Sequence, residues 1–254
     1  MKQDIVRTSK EPVRDIVVYN VPQKKCWALA AEQLQPFIQL NVDWNTISRE
    51  ELAKKIPLDE NFLYRFEIDK HSIAEHRRKQ ALSELLDMSR IKISGTDNSG
   101  RNYSFFFLSG LIEDGGKLYG TITVQGLRWI LDFGQKQMFV AFHKPSFLKL
   151  TTGYSMDLFL LLSENYKRCI FDISLEAFKQ RLGCPESYDA QDIKKRILLP
   201  ARKEYQDKQS AISFDAEFYS KNDKETTPGR KRLNMIKFMV LKRNENGKLN
   251  PTDE

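Results

Sequence analysis

The stretch YDAQDIKKRILLPARKEYQDK at residues 188–208 decides the fold of the chain around it. At about 100° per residue, its apolar residues gather on one side of a helix, and these are Ile193, Ile197, Leu198, Ala201 and Tyr205. The opposite side carries Asp192, Lys195, Arg196 and Lys203, with Lys194 and Arg202 on the flanks. The pattern therefore predicts an amphipathic, basic helix. Since Pro200 lacks an N–H to bond the carbonyl of Arg196, a kink or a restart is expected there.

The elements around this helix complete a recognisable order. Residues 154–166 have a helical apolar period, and residues 171–182 (FDISLEAFKQRL) predict a short helix opened by Ser174. After the basic helix, alternating residues at 211–219 and 233–241 predict a hairpin with the polar tip SKNDKETTPGRKR at 220–232. Two helices, a basic third helix and a hairpin are the order of a winged-helix domain.

The first half of the chain repeats that order. Pro22 predicts a helix start, NTISREELAKKI at residues 45–56 contains a capping box of Ser48 and Glu51, and residues 69–86 predict a longer helix. Two β-rich runs, 103–112 and 117–124, predict a hairpin across the EDGG turn, and a short helix is predicted at 127–133. Residues 47–56 align with 173–182 at an offset of 126, with Ile, Ser and Glu coinciding. The sequence therefore predicts an α+β fold of two tandem winged-helix domains.

This organisation predicts five segments. They are a flexible lead at 1–14, a first winged-helix domain at 15–134, a connector at 135–145, a second winged-helix domain at 146–243 and a flexible tail at 244–254. The charge is shared between the halves, because Lys and Arg outnumber Asp and Glu by 22 to 18 up to Lys149 and by 19 to 16 after it. Both halves are therefore expected to face an acidic partner.

Three basic clusters are candidates for DNA contact. The helix at 188–208 presents Arg and Lys side chains that can reach base acceptors in a major groove, or it is an ordinary solvated face. Arg230, Lys231 and Arg232 in the hairpin tip suit phosphates or a minor groove, the alternative being a flexible loop. In the first half, Arg77, Arg78 and Lys79 either hold a phosphate backbone or form salt bridges with Glu75 and Glu84.

Composition excludes several classes of protein. The net charge is +7 over 254 residues, with a sequence pI near 9.2 and 41% hydrophobic residues, which favours a folded protein with an acidic partner. The apolar runs are far shorter than the roughly 20 residues of a membrane span, and the polar start lacks the apolar region of a secretory signal. The protein is therefore expected in the cytoplasm without a membrane partner. Cys26, Cys169 and Cys184 fit neither a disulfide framework nor a zinc knuckle and are read as reduced.

Enzyme signatures are missing from the sequence. Gly116-Lys117 lacks the first Gly of a phosphate-binding loop, because Leu111 stands in its place. His71 and His76 are five residues apart and do not share one helix face as metal ligands would, and no His-x-His pair accompanies a nicking tyrosine. No cofactor, metal site or catalytic residue is predicted.

Three segments of the second half carry a family likeness over about residues 147–243: LKL with YSMDLFLLL at 148–162, FDISLEAFKQRLG at 171–183, and Tyr188 followed by IKKRILLPARKE at 193–204. In these segments the second half resembles the theta-type, iteron-binding plasmid replication initiator (Rep) family. In that family the Pro-Ala pair and the Glu shortly after it are expected, which applies here to Pro200, Ala201 and Glu204. The first half is similar only in its order of elements.

The resemblance implies an initiator that binds direct repeats (iterons) of double-stranded DNA at a plasmid origin. The third helix of the second domain would lie in a major groove, and the first domain would contact neighbouring DNA and form a homodimer that represses its own promoter. A host helicase or initiator is a further implied partner. The candidate DNA-binding residues of the second domain's helix are Tyr188, Gln191, Lys194, Lys195, Arg196, Arg202 and Lys203. The alternatives are a winged-helix repressor, a protein-interaction scaffold and, more remotely, a rolling-circle nicking enzyme.

Overall fold

The chain forms two compact units, Met1–Lys144 and Pro145–Glu254. The computed structural model describes residues 4–8, 10–38, 40, 42–44, 46–73, 83–96, 102–132, 139–221, 233–244 and 247–251. The division between the units falls at the carboxyl end of the segment expected to be a connector, residues 135–145.

Of the helices in the first unit, two begin at predicted starts, a third begins at Val124, three residues before the predicted 127, and the helix at Lys10–Asp15 lies in the expected lead and was not predicted. These helices are α1 (Lys10–Asp15), α2 (Val21–Gln33), α3 (Arg49–Ala53) and α4 (Val124–Leu131). Pro22 lies in the first turn of α2, as predicted. The predicted capping box is also confirmed, because Ser48 Oγ accepts from Glu51 N at 3.1 Å and Glu51 Oε2 accepts from Ser48 N at 3.2 Å. Such a box satisfies two N–H groups that a helix end leaves unbonded.

Three antiparallel strand groups complete the first unit. Strand β1 (Ile5–Thr8) pairs with β7 (Val140–His143), and β3 (Lys92–Thr96) pairs with β4 (Asn102–Phe106). The remaining strands form a sheet in the order β2 (Tyr64–Asp69), β6 (Lys117–Ile122), β5 (Leu108–Asp114). The predicted hairpin turn is confirmed between β5 and β6, where Gly115 and Gly116 have φ of +56° and +87°. Glycine is favoured there because a side chain is strained at positive φ.

Two predictions for the first unit are wrong. The helix expected from residue 69 does not begin there, because Asp69 ends β2, whose Tyr64, Phe66 and Ile68 are buried with the period of two typical of a strand. Residues 70–72 then form a short 3-10 turn, residues 74–82 lie outside the described residues, and residues 83–86 are helical. The expected single strand at 103–112 is two strands of different sheets, β4 and β5, separated at the fully buried Phe107.

Strands also occur where none was expected. Strand β1 lies within the expected lead and β7 within the expected connector, and their pairing buries Val6 and Thr8 completely. Each strand is only four residues long, so neither carries a recognisable alternating pattern by itself. Trp27 of α2 stacks on Phe142 of β7 at 5.7 Å, which ties the pair to the helical core.

The second unit has the element order of a winged helix. Its elements are α5 (Lys144–Lys149), α6 (Gly153–Glu164), β8 (Ile170–Ser174), α7 (Leu175–Leu182), α8 (Ala190–Ile193), a π-helical turn (Lys194–Leu198), α9 (Leu199–Asp207), β9 (Ile212–Tyr219), β10 (Met235–Arg243) and β11 (Leu249–Pro251). Strand β10 is central, with β9 on one side and both β8 and β11 on the other. The predicted hairpin of 211–219 with 233–241 is therefore confirmed, whereas β11 lies within the expected tail.

The helix expected at 171–182 begins later than predicted. Residues Ile170–Ser174 form β8 and pair with β10, and the helix starts at Leu175 because Ser174 Oγ accepts from Ala177 N at 3.1 Å. Ser174 is thus the opening residue that the sequence predicts, and its cap matches that of Ser48 across the repeat offset.

The core of the second unit is built on Phe238 of β10. Its ring lies 5.2 Å from that of Phe171, 5.9 Å from Phe178 and 5.7 Å from Phe214. Phe238 is fully buried. The cluster joins β8, α7, β9 and β10 and so holds the sheet against the helices.

Candidate nucleic-acid interface

The basic helix predicted at 188–208 is one helical run made of α8, the π-helical turn and α9, residues 190–207, which we call the reading helix. It begins at Asp189, whose carboxylate accepts from Gln191 N and Asp192 N, both at 2.8 Å. Asp192 reciprocates toward Asp189 N, completing a capping box. This cap fixes the amino-terminal turn, the part of a recognition helix that approaches base edges in helix-turn-helix proteins.

The π-helical turn accommodates Pro200. A proline inside an α-helix removes one N–H and presses its ring against the carbonyl four residues earlier. Here Leu199 N–H donates to the carbonyl of Lys194, five residues back, and α9 starts with Pro200 in its first turn. The interruption expected at Pro200 is therefore present as a π-helical turn followed by a new α-helical segment.

The buried face of the reading helix is the one that the sequence predicts. Each of its five apolar residues is at most 4% exposed, and these are Ile193, Ile197, Leu198, Ala201 and Tyr205. Tyr205 OH donates to the carbonyl of Ser155 in α6 at 2.6 Å. Burial raises the pKa of Tyr205 well above its usual value, so it remains a neutral hydrogen-bond donor.

The opposite face presents the candidate DNA-binding side chains to solvent. Its exposed members are Gln191, Lys194, Lys195, Arg196, Arg202 and Lys203. Within the described residues, Lys194, Lys195 and Lys203 take part in no ion pair. A row of cations without carboxylate partners attracts an anionic surface such as a phosphate backbone.

Arg196 is held in place by two neighbours. Its Nε lies 3.0 Å from Asp192 Oδ1, and its guanidinium lies 5.3 Å from the centre of the half-buried Tyr188 ring. Hydrogen bonds to Tyr188 and to Asp192 raise the pKa of Arg196, which keeps its positive charge. Tyr188 therefore orients an arginine on the exposed face, which is a role that the sequence pattern did not specify.

Arg202 turns toward the hairpin. Its guanidinium lies 2.6 Å from the carboxylate of Asp215 on β9, with both side chains about half exposed, at 53% and 50%. Gln191 and Lys194 face the same side of the helix, because they line a hollow with Glu217 and Phe218 of β9. These three residues thus lie between the reading helix and the hairpin, while Lys195 and Lys203 lie on the outward face.

The other two candidate basic clusters lie outside the part of the chain that the structure describes. The first is Arg77, Arg78 and Lys79, and the second is Arg230, Lys231 and Arg232 of the hairpin tip. The base of the tip is described, and Lys221 N donates there to Asn234 Oδ1 at 3.0 Å. This bond closes the end of the hairpin from which the basic tip extends.

Glu204 positions the reading helix, a role that the sequence analysis did not assign. Its carboxylate accepts from Thr151 N at 2.6 Å, from Thr151 Oγ1 at 2.7 Å and from Thr152 Oγ1 at 3.3 Å. Thr152 also caps α6, since its Oγ1 accepts from Ser155 N. The partners are separated by more than fifty residues, and the signal in the sequence was the pair of threonines before an apolar helix.

We expect Glu204→Ala to lower the free energy of unfolding by about 1–2 kcal/mol, because hydrogen bonds to a charged acceptor are lost at a partly exposed site. Urea denaturation followed by circular dichroism measures this change. Glu186→Ala removes an exposed carboxylate in the same unit and serves as the matched control. Equal losses in the two variants would contradict the positioning role.

The second unit is thus a winged helix whose third helix exposes a row of cations. Residues 174–239 match the family model described as "Initiator Rep protein, WH2". The match contains α7, the reading helix and the strand β9, and it confirms the resemblance to Rep initiators. No curated protein sequence matches the chain significantly.

Similarity to solved structures extends over both units. The chain is similar to the Pi initiator protein, whose crystal structure in complex with iteron DNA superposes with a TM-score of 0.67 at 18% sequence identity. The similarity covers 96% of this chain and 100% of that chain. The predicted α+β fold of two tandem winged-helix domains is therefore confirmed.

Two further observations concern ligands and membranes. In the ranges that the structure describes, no group of three or more His, Cys, Asp and Glu side chains is placed to hold a metal ion. Among those same residues, no helix is long and apolar enough to cross a membrane.

Proposed function

We propose that this protein is a plasmid replication initiator that binds double-stranded DNA repeats (iterons) at an origin. The observation that carries the proposal is the match of residues 174–239 to the initiator family, within which the reading helix exposes Lys195, Arg196 and Lys203. The similar Pi initiator is described in complex with iteron DNA, which supports the same ligand class here.

The reading helix fits a major groove. That groove is about 12 Å wide and admits one α-helix, and arginine or lysine there can bond the O6 and N7 acceptors of guanine. Lys195 and Arg196 lie close to the capped amino-terminal turn and are proposed to read bases, whereas Lys203 and the hairpin tip are proposed to contact phosphates. On DNA binding, Arg202 would leave its ion pair with Asp215 and pair with a phosphate instead.

The first domain is proposed to supply auxiliary DNA contacts and a dimer interface. Its sheet ends at β5, where Ile112 is 68% exposed and lies directly opposite Tyr119, which is 41% exposed. A pair of exposed apolar side chains beside a strand edge suits association with a second copy of the chain. A dimer on an inverted repeat would then repress the promoter of its own gene.

Initiation would follow from crowding several copies onto adjacent iterons. Bending or straining the duplex costs energy that binding supplies, and this would help to open a neighbouring AT-rich segment. We propose that the protein itself catalyses no reaction and needs no cofactor, and that a host helicase and polymerase act on the opened DNA in the cytoplasm.

Selection from a random duplex library with the full-length protein tests the proposed ligand. We expect one preferred sequence, and affinity for it should fall with a slope of log K against log salt of about −0.9 per phosphate neutralised. Binding without sequence preference and without salt dependence would favour a protein-interaction scaffold and overturn the proposal.

Two of the other functions make different predictions. A repressor of the same fold would select a palindrome, whereas two different winged units in one chain suit tandem direct repeats. A rolling-circle nicking enzyme would relax supercoiled origin DNA in a metal-dependent manner, and we expect no cleavage in that assay.

A further inference from the structure

Leu199 stands out on the exposed face of the reading helix. It is the first residue of α9, and 51% of its surface is exposed, while its neighbour Leu198 is 4% exposed and belongs to the core. Leu198 therefore already supplies the core side chain at this turn of the helix. An exposed leucine side chain adds little to the stability of the fold, since apolar surface stabilises a protein only when it is removed from water.

The position of Leu199 is the centre of the proposed DNA-contacting surface. It follows Lys195 by four residues, across the π-helical turn, and precedes Lys203 by four in α9, and all three side chains are exposed. Lys195 and Lys203 are exposed cations that would approach bases and phosphates. Any duplex that meets both lysines must also cover the leucine between them.

A leucine in a major groove can recognise one feature of DNA. It has no hydrogen-bond donor or acceptor, and the only apolar group that base pairs present in that groove is the 5-methyl group of thymine. Guanine and cytosine offer polar edges whose desolvation against leucine is unfavourable.

We propose that Leu199 is a specificity-determining residue that contacts the 5-methyl group of a thymine in the bound repeat. The proposal rests on the proposed function, because it assigns one base contact to the same reading helix. Leu199 directly follows the π-helical turn, which ends at the buried Leu198.

A scan that replaces each thymine of the selected duplex, one at a time, by deoxyuridine tests the contact. Deoxyuridine differs from thymidine only by the methyl group, and burial of one such group is worth about fourfold in affinity. We expect about a fourfold loss at one or two positions with the wild-type protein and no loss at those positions with Leu199→Ala.

The controls separate this inference from the proposed function. Ile170→Ala truncates another half-exposed aliphatic residue in the same unit and should keep the thymine preference, as should the conservative Leu199→Met. Two results would overturn the inference that Leu199 reads thymine. In the first, the wild-type protein selects a duplex but loses no affinity when deoxyuridine replaces thymine. In the second, Leu199→Ala still loses affinity at the same positions. If no duplex is selected, the proposed function itself fails.

Discussion

Replacing Lys195 and Arg196 together by alanine is expected to weaken binding to the selected repeat by about 2–6 kcal/mol, at about 1–3 kcal/mol for each good base contact. The loss should be specific, because base contacts contribute only on the correct sequence while phosphate contacts act on all DNA. Fluorescence anisotropy with the selected duplex and with a scrambled duplex, at one fixed salt concentration, measures both affinities.

Two control variants make this expectation sharp. Lys237→Ala removes an exposed cation from β10, on the sheet face opposite Ile236 and Phe238, and should leave both affinities unchanged. Alanine at Arg230, Lys231 and Arg232 should weaken binding to both duplexes alike. If the Lys195 and Arg196 variant lost equal affinity for both duplexes, the reading helix would be misassigned.

Phe238→Ala is expected to destabilise the second unit by about 3–5 kcal/mol, because the truncation leaves a cavity among the three rings that surround a fully buried side chain. Trp27, Trp44 and Trp129 all lie in the first unit, so tryptophan fluorescence does not report on the second. Hydrogen exchange of peptides from residues 145–254 across a urea series measures the change directly.

Leu199→Ala is the matched control for stability. It also shortens a large apolar side chain in the second unit, but the residue is half exposed, so we expect a change within about 0.5 kcal/mol. Should Phe238→Ala cost less than 1 kcal/mol, the aromatic cluster would not be the core of the unit.

Features encoded in a short stretch of chain could be predicted from the sequence. The five buried residues of the reading helix follow from a period of about 3.6, and the caps at Ser48 and Ser174 follow from side chains that bond within three residues. The turn at Gly115-Gly116 is equally local, because its positive φ angles favour glycine.

Features that depend on partners distant in the chain could not be predicted from the sequence. Strand β1 is four residues long and becomes a strand only by pairing with β7, more than 130 residues later. The sequence analysis predicts no element for residues 64–68 and begins a helix at Asp69, because the pairing of β2 with β6 is invisible in the sequence. Tertiary pairing overrides such local signals.

The same reason limits the prediction of the site. The charged residues of the reading helix could be identified by periodicity, but their partners on other elements could not, because Asp215 lies on β9 and the threonines that bind Glu204 precede it by more than fifty residues. Leu199 falls among cations, where a helical pattern predicts only that the residue is outside the core and not that it contacts a ligand.

Footprinting of the full-length protein on the DNA that flanks its gene tests the central claim most directly. Binding to iterons predicts several protected segments of one orientation, repeated at intervals of about two helical turns and filled in order as the protein concentration rises. A single protected palindrome, or protection spread evenly over all sequences, would contradict the assignment of this protein as an iteron-binding initiator.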